Sequence, residues 1–465
     1  MTRRECLAAL ASPALLASEP SSIENDPLRP RYHFLPPRNW MNDPNGLIYH
    51  KGLYHLFYQY NPNGAYWGDM HWGHATSPDM VHWKHLPVAL APAPGGPDKD
   101  GVFSGCCRMH NGVPTFFYTG VSPETQNIIL ANDDLTSFRR FPGNPVIAHP
   151  PEGLEVTAFR DPNVWQEGED WMMAIGSGRK GGNGMVLLYR SRDLAHWEYL
   201  HPLAESARAE DGVIWECPNF LPLHPTSVLI VSADHPIRKP FYWTGEYENR
   251  RFEARKMGAI DDGGYCYAPQ VFVDGKGRQI LFGWIPEGRT VAAQKASGWA
   301  GAQSIPRILE VSPGGDVLMR PIPEFEVLRG AEIREPAKLK GDSYEIEVEF
   351  AASGSSGLVL RASADGRLRT VVRFDASTRR LSIDRTHSSD NKDNEQDVRD
   401  AHVSLAPAEP LRLRVFLDRS IVEVFANDRV VMTSRIYPAA DCAGFEVINP
   451  SSLRRFRAWP MRSAA

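Results

Sequence analysis

The chain has 465 residues, 42% hydrophobic and 23% charged, with a formal net charge of −5. That balance excludes wholesale disorder, and the lack of a basic run excludes a dedicated nucleic-acid binder, which needs a cationic face for phosphate. The 38 Gly, 38 Pro and 12 Trp point to many turns and a stacking-rich site on an all-β protein. Six cysteines in this length make no disulfide framework and read as reduced thiols.

Residues 1–18 read as an export signal. Arg3 and Arg4 give a positive start, and the apolar run Leu7 to Ala17 is too short to span a bilayer. Thr2-Arg3-Arg4-Glu5-Cys6-Leu7 resembles a bacterial twin-arginine signal, with Cys6 where an aromatic is usual. The expected destination is periplasmic or secreted. No other segment is apolar enough to cross a membrane.

From Arg31 onward, short apolar-aromatic runs alternate with Gly, Pro and Asn, as in Leu53-Tyr-His-Leu-Phe-Tyr58 and Gln279-Ile-Leu-Phe-Gly-Trp284. Such runs read as antiparallel strands. One pattern recurs: Ser77-Pro-Asp79-Met80-Val-His-Trp83 matches Ser191-Arg-Asp193-Leu194-Ala-His-Trp197, with a degenerate copy at Asp133-Asp134-Leu135. The acids at 79, 134 and 193 are 55 and 59 residues apart, and Gly245–Phe252 is a further weak copy. A step of that size suits one four-stranded blade. Residues 31–325 are therefore read as a five-bladed β-propeller, whose inner strands bring distant residues to one axial cavity.

After Pro321-Ile-Pro323 the pattern changes. Tyr344-Glu-Ile-Glu-Val-Glu-Phe350 and Leu411-Arg-Leu-Arg-Val-Phe416 alternate with period two, the mark of strands with one wet face. Residues 335–465 are read as a C-terminal β-sandwich, with Ser388–Asp400 as an exposed excursion.

Three acids have unusual surroundings. Asp43 lies in Asn39-Trp-Met-Asn-Asp-Pro-Asn-Gly46, although Asp-Pro-Asn-Gly alone reads as a β-turn. Asp161 lies in Phe159-Arg-Asp-Pro162, where a local Arg160–Asp161 pair is an equal reading. Glu216 sits in the apolar Ile214-Trp-Glu-Cys-Pro218, and a carboxyl there needs a partner or a task. Burial beside Trp215 and other carboxylates raises the pKa, as a general acid requires. Cleaving a glycosidic bond takes two such groups, and Trp40, Tyr58, Trp67, Trp72, Trp215 and Trp284 are candidates to stack on a sugar. His71 and His74 stand three apart, but no matching acid or Cys is placed near them for a metal.

These motifs together resemble glycoside hydrolase family 32, the invertase, levanase and inulinase group. The resemblance rests on Trp40-Met-Asn-Asp-Pro-Asn-Gly46, Phe57-Tyr-Gln-Tyr-Asn-Pro62, Phe103-Ser-Gly105, Phe159-Arg-Asp-Pro162, Trp215-Glu-Cys217, Tyr267-Ala-Pro-Gln270 and Phe416–Phe425. It implies a five-bladed propeller followed by a sandwich, and retaining hydrolysis of terminal β-fructofuranosides of sucrose or fructans. By motif, Asp43 would be the nucleophile, Glu216 the acid/base and Asp161 the residue that holds ring hydroxyls. Asn42, Gln59, Trp67, Ser104, Arg160 and Trp284 would line the fructosyl subsite, with no metal or organic cofactor. Cys106 and the Gly264-Tyr265-Cys266 run depart from the family's usual residues, at positions expected to face the leaving group. Two alternatives stay open: a fructosyltransferase with the same triad, and a non-catalytic fructan-binding protein.

Overall fold

A computed structural model describes residues 23–235 and 238–464; the expected export signal lies outside them. The chain is all-β. Among the described residues the single α-helix, α1, is Val291–Ser297, and no helix is long and apolar enough to cross a membrane.

The first part is a succession of antiparallel units of four strands. The first has β1 (Asn39–His50), β2 (Leu53–Asn61), β3 (His71–Ser77) and β4 (Lys84–Leu90). The second has β5 (Gly101–His110), β6 (Val113–Val121), β7 (Thr125–Ala131) and β8 (Phe138–Arg140). Next come β9 (Val156–Glu167), β10 (Asp170–Arg179), β11 (Gly184–Ser191) and β12 (Glu198–Glu205). The fourth unit is β13 (Ile214–Leu221), β14 (Ser227–Asp234), β15 (Lys239–Glu248) and β16 (Arg251–Ala259). These two units join into one eight-stranded sheet through a single pairing, Ser177 with Trp215. The last unit uses β17 (Tyr267–Val273) and β18 (Gln279–Ile285), then β19 (Trp299–Ala300), β20 (Ala302–Gln303), β21 (Arg307–Val311) and β22 (Val317–Pro321). Its short β19 leaves the unit and pairs in parallel with β1, Asn39 with Trp299 and Trp40 with Ala300.

The recurring Ser-x-Asp pattern has a defined place. It is the turn between the third and fourth strands of a unit. Asp79 accepts from the amides of Val81 and His82, and Trp83 Nε1 donates to Met80 O. Asp193 repeats this with the amides of Ala195 and His196, and Trp197 Nε1 donates to Leu194 O. Met80, Leu135 and Leu194 each take positive φ, at 63°, 54° and 67°. The Gly245–Phe252 copy falls on the matching β15–β16 turn.

The second part has two five-stranded sheets. One contains β23 (Ser343–Phe350), β28 (Leu411–Asp418), β29 (Ile421–Ala426), β30 (Val430–Arg435) and β32 (Leu453–Pro460). The other contains β24 (Ser355–Ala362), β25 (Arg369–Asp375), β26 (Arg380–His387), β27 (Val398–His402) and β31 (Gly444–Ile448). Ile346, Val348, Leu360, Phe374, Leu413 and Val415 form the core between them. The face expected to be wet stays partly exposed at Glu347, Glu349, Arg412 and Arg414 and is covered at one end. Phe416, Phe425 and Val431 pack with Phe325 and Leu328 in a core shared with the first part. Glu345 is fully buried, held by Arg329 and Arg414 at 2.6 Å each. The 388–400 loop is not wholly free either, because Glu395 N donates to Gly288 O at 2.8 Å.

Charge, as well as apolar surface, is buried where the two parts meet. Arg307 Nη2 lies 2.9 Å from Asp261 Oδ2 and 2.7 Å from Glu423 Oε2, with all three side chains fully buried. His33 bridges Asp418 at 2.9 Å and Glu423 at 3.0 Å. Burial opposes a charged His33, but the two carboxylates outweigh it and raise its pKa above the usual 6.5. Burial likewise opposes the Glu423 charge, and Arg307 with His33 overcomes it, bringing that carboxyl down to about 2.

The signs give a stability window. The His33 contribution is complete below about pH 6.5 and is lost as pH rises through its raised folded pKa. The Glu423 contribution is complete above about pH 4.5 and is lost as pH falls toward 2. Thermal unfolding of the full chain should therefore show Tm falling above neutrality. In His33→Gln that alkaline fall should shrink, while Tm at pH 6 drops by about 2–5 °C. An unchanged alkaline slope would remove His33 from this role.

Candidate active site

An extended strand sends alternate side chains to opposite faces, so neighbouring residues cannot both reach one cavity. The first strand of every unit breaks that rule in the same way. Residues 42–43 of β1 stand opposite Gln59 alone, and residues 103–104 of β5 opposite Thr119 alone. Residues 161–162 of β9 face Ile175, 217–218 of β13 face Val231, and 268–269 of β17 face Gly283. Each is a two-for-one β-bulge, which bends the strand and re-aims its side chains. Asp161, Cys217 and Ala268 take left-handed φ of 63°, 46° and 47° at equivalent bulge positions. Pro162, Pro218 and Pro269 occupy the next position, where proline's missing N–H is tolerated. Asp43 is therefore in a bulged strand, not in the β-turn that Asp-Pro-Asn-Gly suggests.

The bulges converge on a cavity of about 910 Å³. Asn42 with Asp43, Phe103 with Ser104, and Arg160 with Asp161 line it as consecutive pairs, joined by Gln59, Trp67, Glu216 and Trp284. All nine site residues singled out in the sequence thus meet in one place. A cavity of about 990 Å³ near Arg29 and Arg419 has Glu24 as its one lining acid, so it offers no carboxylate pair.

The three acids are tied together. Ser104 Oγ donates to Asp43 Oδ2 at 2.6 Å, and Asn42 Nδ2 donates to Oδ1 at 3.0 Å. The Cys217 thiol lies 3.5 Å from both Asp43 Oδ2 and Asp161 Oδ2, and Cys217 N–H donates to Asp161 at 2.9 Å. Glu216 Oε2 accepts from Tyr267 Oη at 2.7 Å, and Oε1 from Arg160 Nη1 at 3.1 Å. Arg160 is anchored from behind by Glu124 at 2.6 Å.

The electrostatics follow from burial. It pushes the Asp43 carboxyl up from 3.8, against the pull of Ser104, Asn42 and Cys217. Burial also raises Glu216, opposed by Arg160 and Tyr267 and assisted by the Asp43 charge. Asp161 is raised by burial, then by the charge of Glu216. Three carboxylates in one partly dry site cannot all ionise near neutrality, so the cluster retains a proton.

Several sequence expectations need correction. Trp40, Trp67 and Trp284 line the cavity, but Tyr58, Trp72 and Trp215 are packed in apolar cores. Trp215 points to the face opposite Glu216, against Phe241 and Trp243, so it is not what desolvates that acid. Cys106 is in a core with Phe117 and Val164, and Tyr265 packs against Arg385 of the second part, so neither faces the cavity. His74 is buried against His55 at 3.0 Å, and His71 bonds to Asp69 O.

Tyr267, Glu124, Arg238, Gln294 and Glu287 also line the cavity and are not among those nine. Tyr267 had a signal. Arg160-Asp-Pro, Glu216-Cys-Pro and Tyr267-Ala-Pro share one frame, with the cavity residue two positions before proline. Arg238 is exposed and its guanidinium sits 5.1 Å from the rings of both Tyr267 and Trp284, a contact no local pattern announces.

Comparison with known proteins identifies the family. The model of the glycosyl hydrolases family 32 N-terminal domain matches residues 33–321, and that of the family 32 C terminal matches residues 324–460. Sucrose-6-phosphate hydrolase of Escherichia coli is 35% identical, covering 88% of this chain and 89% of its own. Raffinose invertase of Escherichia coli is 37% identical, over 89% and 90%. The crystal structure of fructan 1-exohydrolase IIa from Cichorium intybus superposes with a TM-score of 0.85 at 28% identity, covering 94% of this chain and 98% of that one. With both parts matched and relatives of this identity along most of its length, the chain belongs to glycoside hydrolase family 32 and is a glycoside hydrolase.

Proposed function

We propose that this chain is a retaining exo-β-fructosidase acting on terminal β-D-fructofuranosides of sucrose or fructans. The observation that carries the reading is the cluster of Asp43, Asp161 and Glu216 in one cavity, with Cys217 linking the two aspartates. The names of the relatives, a sucrose-6-phosphate hydrolase, a raffinose invertase and a levanase, support the substrate class.

Glu216 is suited to the acid. Its pKa is raised by burial, which favours the protonated form a general acid needs, and Tyr267 with Arg160 fixes its two oxygens. Asp43 attacks the anomeric carbon and forms a fructosyl ester. Ser104 and the Cys217 thiol hold one of its oxygens and Asn42 the other. Water, deprotonated by Glu216, then releases fructose with retained configuration. Asp161 lies where it can hold ring hydroxyls and offset the positive charge of the transition state. Gln59 Oε1 and Trp284 Nε1 are buried and have no protein partner among the described residues, which suits them to sugar hydroxyls.

The architecture belongs to the same proposal: a five-bladed propeller over 31–325 and a sandwich over 335–465. Five equivalent bulges support it, as do contacts running β1 to β5, β9, β13, β17 and back to β1. The eight-stranded sheet then counts as two blades touching at one pairing.

Asp43→Asn and Glu216→Gln should each cut kcat on sucrose by about 10³-fold or more, with folding unchanged by circular dichroism. Full activity of both on sucrose, inulin and levan would refute the assignment. Product analysis at high sucrose separates hydrolysis from transfer, since net oligomer growth would favour a transferase. Tyr267→Phe removes a donor that favours ionised Glu216, so the basic limb of the pH–rate profile should move to higher pH. kcat/KM at neutral pH should fall by about tenfold. Export is part of the reading as well: fractionation should find the full chain outside the cytoplasm, and Arg3→Lys with Arg4→Lys should retain it.

A further inference from the structure

The loop that follows Trp284 is held from outside its own part of the chain. Arg435, at the end of β30, donates Nη2 to Glu287 Oε1 at 2.6 Å and Nε to Pro286 O at 3.2 Å. Tyr437 Oη donates to Glu287 Oε2 and accepts from Gly288 N, both at 2.8 Å. Glu395 N donates to Gly288 O at 2.8 Å. Residues 286, 287 and 288 are thus each bonded by the second part.

Glu287 passes this restraint inward. Its side chain is 1% exposed and its Oε1 also accepts from Gly301 N at 3.1 Å. Burial opposes its charge, but Arg435 and Arg289 overcome that and hold the carboxyl down at about 2, so it is ionised. Gly301 has φ of 82°, and a Cβ there would lie 2.1 Å from Met41 O and 3.0 Å from Trp284 Nε1. Two residues on, Gln303 Nε2 donates to Asn42 O at 2.7 Å. The 299–303 segment therefore backs the bulge that carries Asp43 and the ring of Trp284.

We propose that Arg435 and Tyr437 are positioning residues for the fructosyl pocket. Acting through Glu287, they set the Trp284 wall and the backing of the β1 bulge, which makes the sandwich a working part of the active site. This rests on the fructoside reading above. Neither residue touches the cavity, so their effect is on how well the pocket holds substrate. A free anchor lets the Trp284 wall move, which weakens binding of the sugar while the acid and the nucleophile keep their own partners.

The test uses full-length variants. Tyr437→Phe should lower kcat/KM on sucrose by about tenfold, the loss falling mainly on KM, with both limbs of the pH profile in place. Arg435→Ala should lose more, and Arg435→Lys should recover part of it. Phe416→Leu, in the apolar contact between the two parts, serves as the comparison: it should lower Tm with KM unchanged. Hydrogen exchange of residues 284–301 should quicken in Tyr437→Phe, a readout that needs no turnover. Wild-type KM and wild-type exchange in Tyr437→Phe, or an equal rise of KM in Phe416→Leu, would overturn the proposal. Failure of the fructoside reading looks different: the unaltered chain would release no fructose, while the exchange result would still decide the anchor.

Discussion

The structure depends on one departure from strand geometry. A regular strand cannot turn adjacent side chains to the same side, and the site needs Asn42 with Asp43 and Arg160 with Asp161 side by side. The bulges solve this once per unit, at a cost on the order of 1 kcal/mol for each residue held at positive φ. Because the same distortion recurs, chemistry is assigned by small shifts of frame. In β1 and β5 the polar residue is the second of the bulge, Asp43 and Ser104. In β9, β13 and β17 that place is proline, and the preceding frame supplies Arg160, Glu216 and Tyr267.

Two electrostatic regimes follow. In the cavity, carboxylates crowd one another in a partly dry space, so their affinity for protons rises. Glu287, which lines the same cavity from the side of the second part, and Glu423, at the contact between the two parts, are just as buried but face arginines, and both are brought down to about 2. The difference lies in the partners and not in depth. Arg435, Arg289 and Arg307 stand beside Glu287 and Glu423, whereas the cluster of Asp43, Asp161 and Glu216 shares Arg160, itself half committed to Glu124. Removing one member of such a buried pair leaves an uncompensated charge and costs roughly 3–5 kcal/mol.

Much of this was legible in the sequence, for physical reasons. Strands announce themselves by alternation, and the Ser-x-Asp turns by their fixed side-chain bonding, so the all-β class and the repeated units could be read. The site residues could be read because prolines and acids crowd the bulges. What could not be read was direction. Trp215 and Glu216 are neighbours, yet one is in a core and the other in the cavity, and burial alone does not say which. Asp-Pro-Asn-Gly fits a turn locally, and only pairing with β2 makes it a strand. Arg238 and Glu287 act through partners in other elements, Glu287 through Arg435 nearly 150 residues away, which no local pattern encodes.

The C-terminal end of the described chain meets the stretch that leads into β1. Ala464 N and Ser463 Oγ both donate to Arg31 O at 3.1 Å. Traced from Arg31 to Ala464, the described chain is almost a closed loop, cut at one corner. Its linear order is then one of several that the same set of contacts could accept. A chain rejoined across that corner and opened at the exposed Asn111–Gly112 hairpin between β5 and β6 keeps every strand pairing except the connection itself.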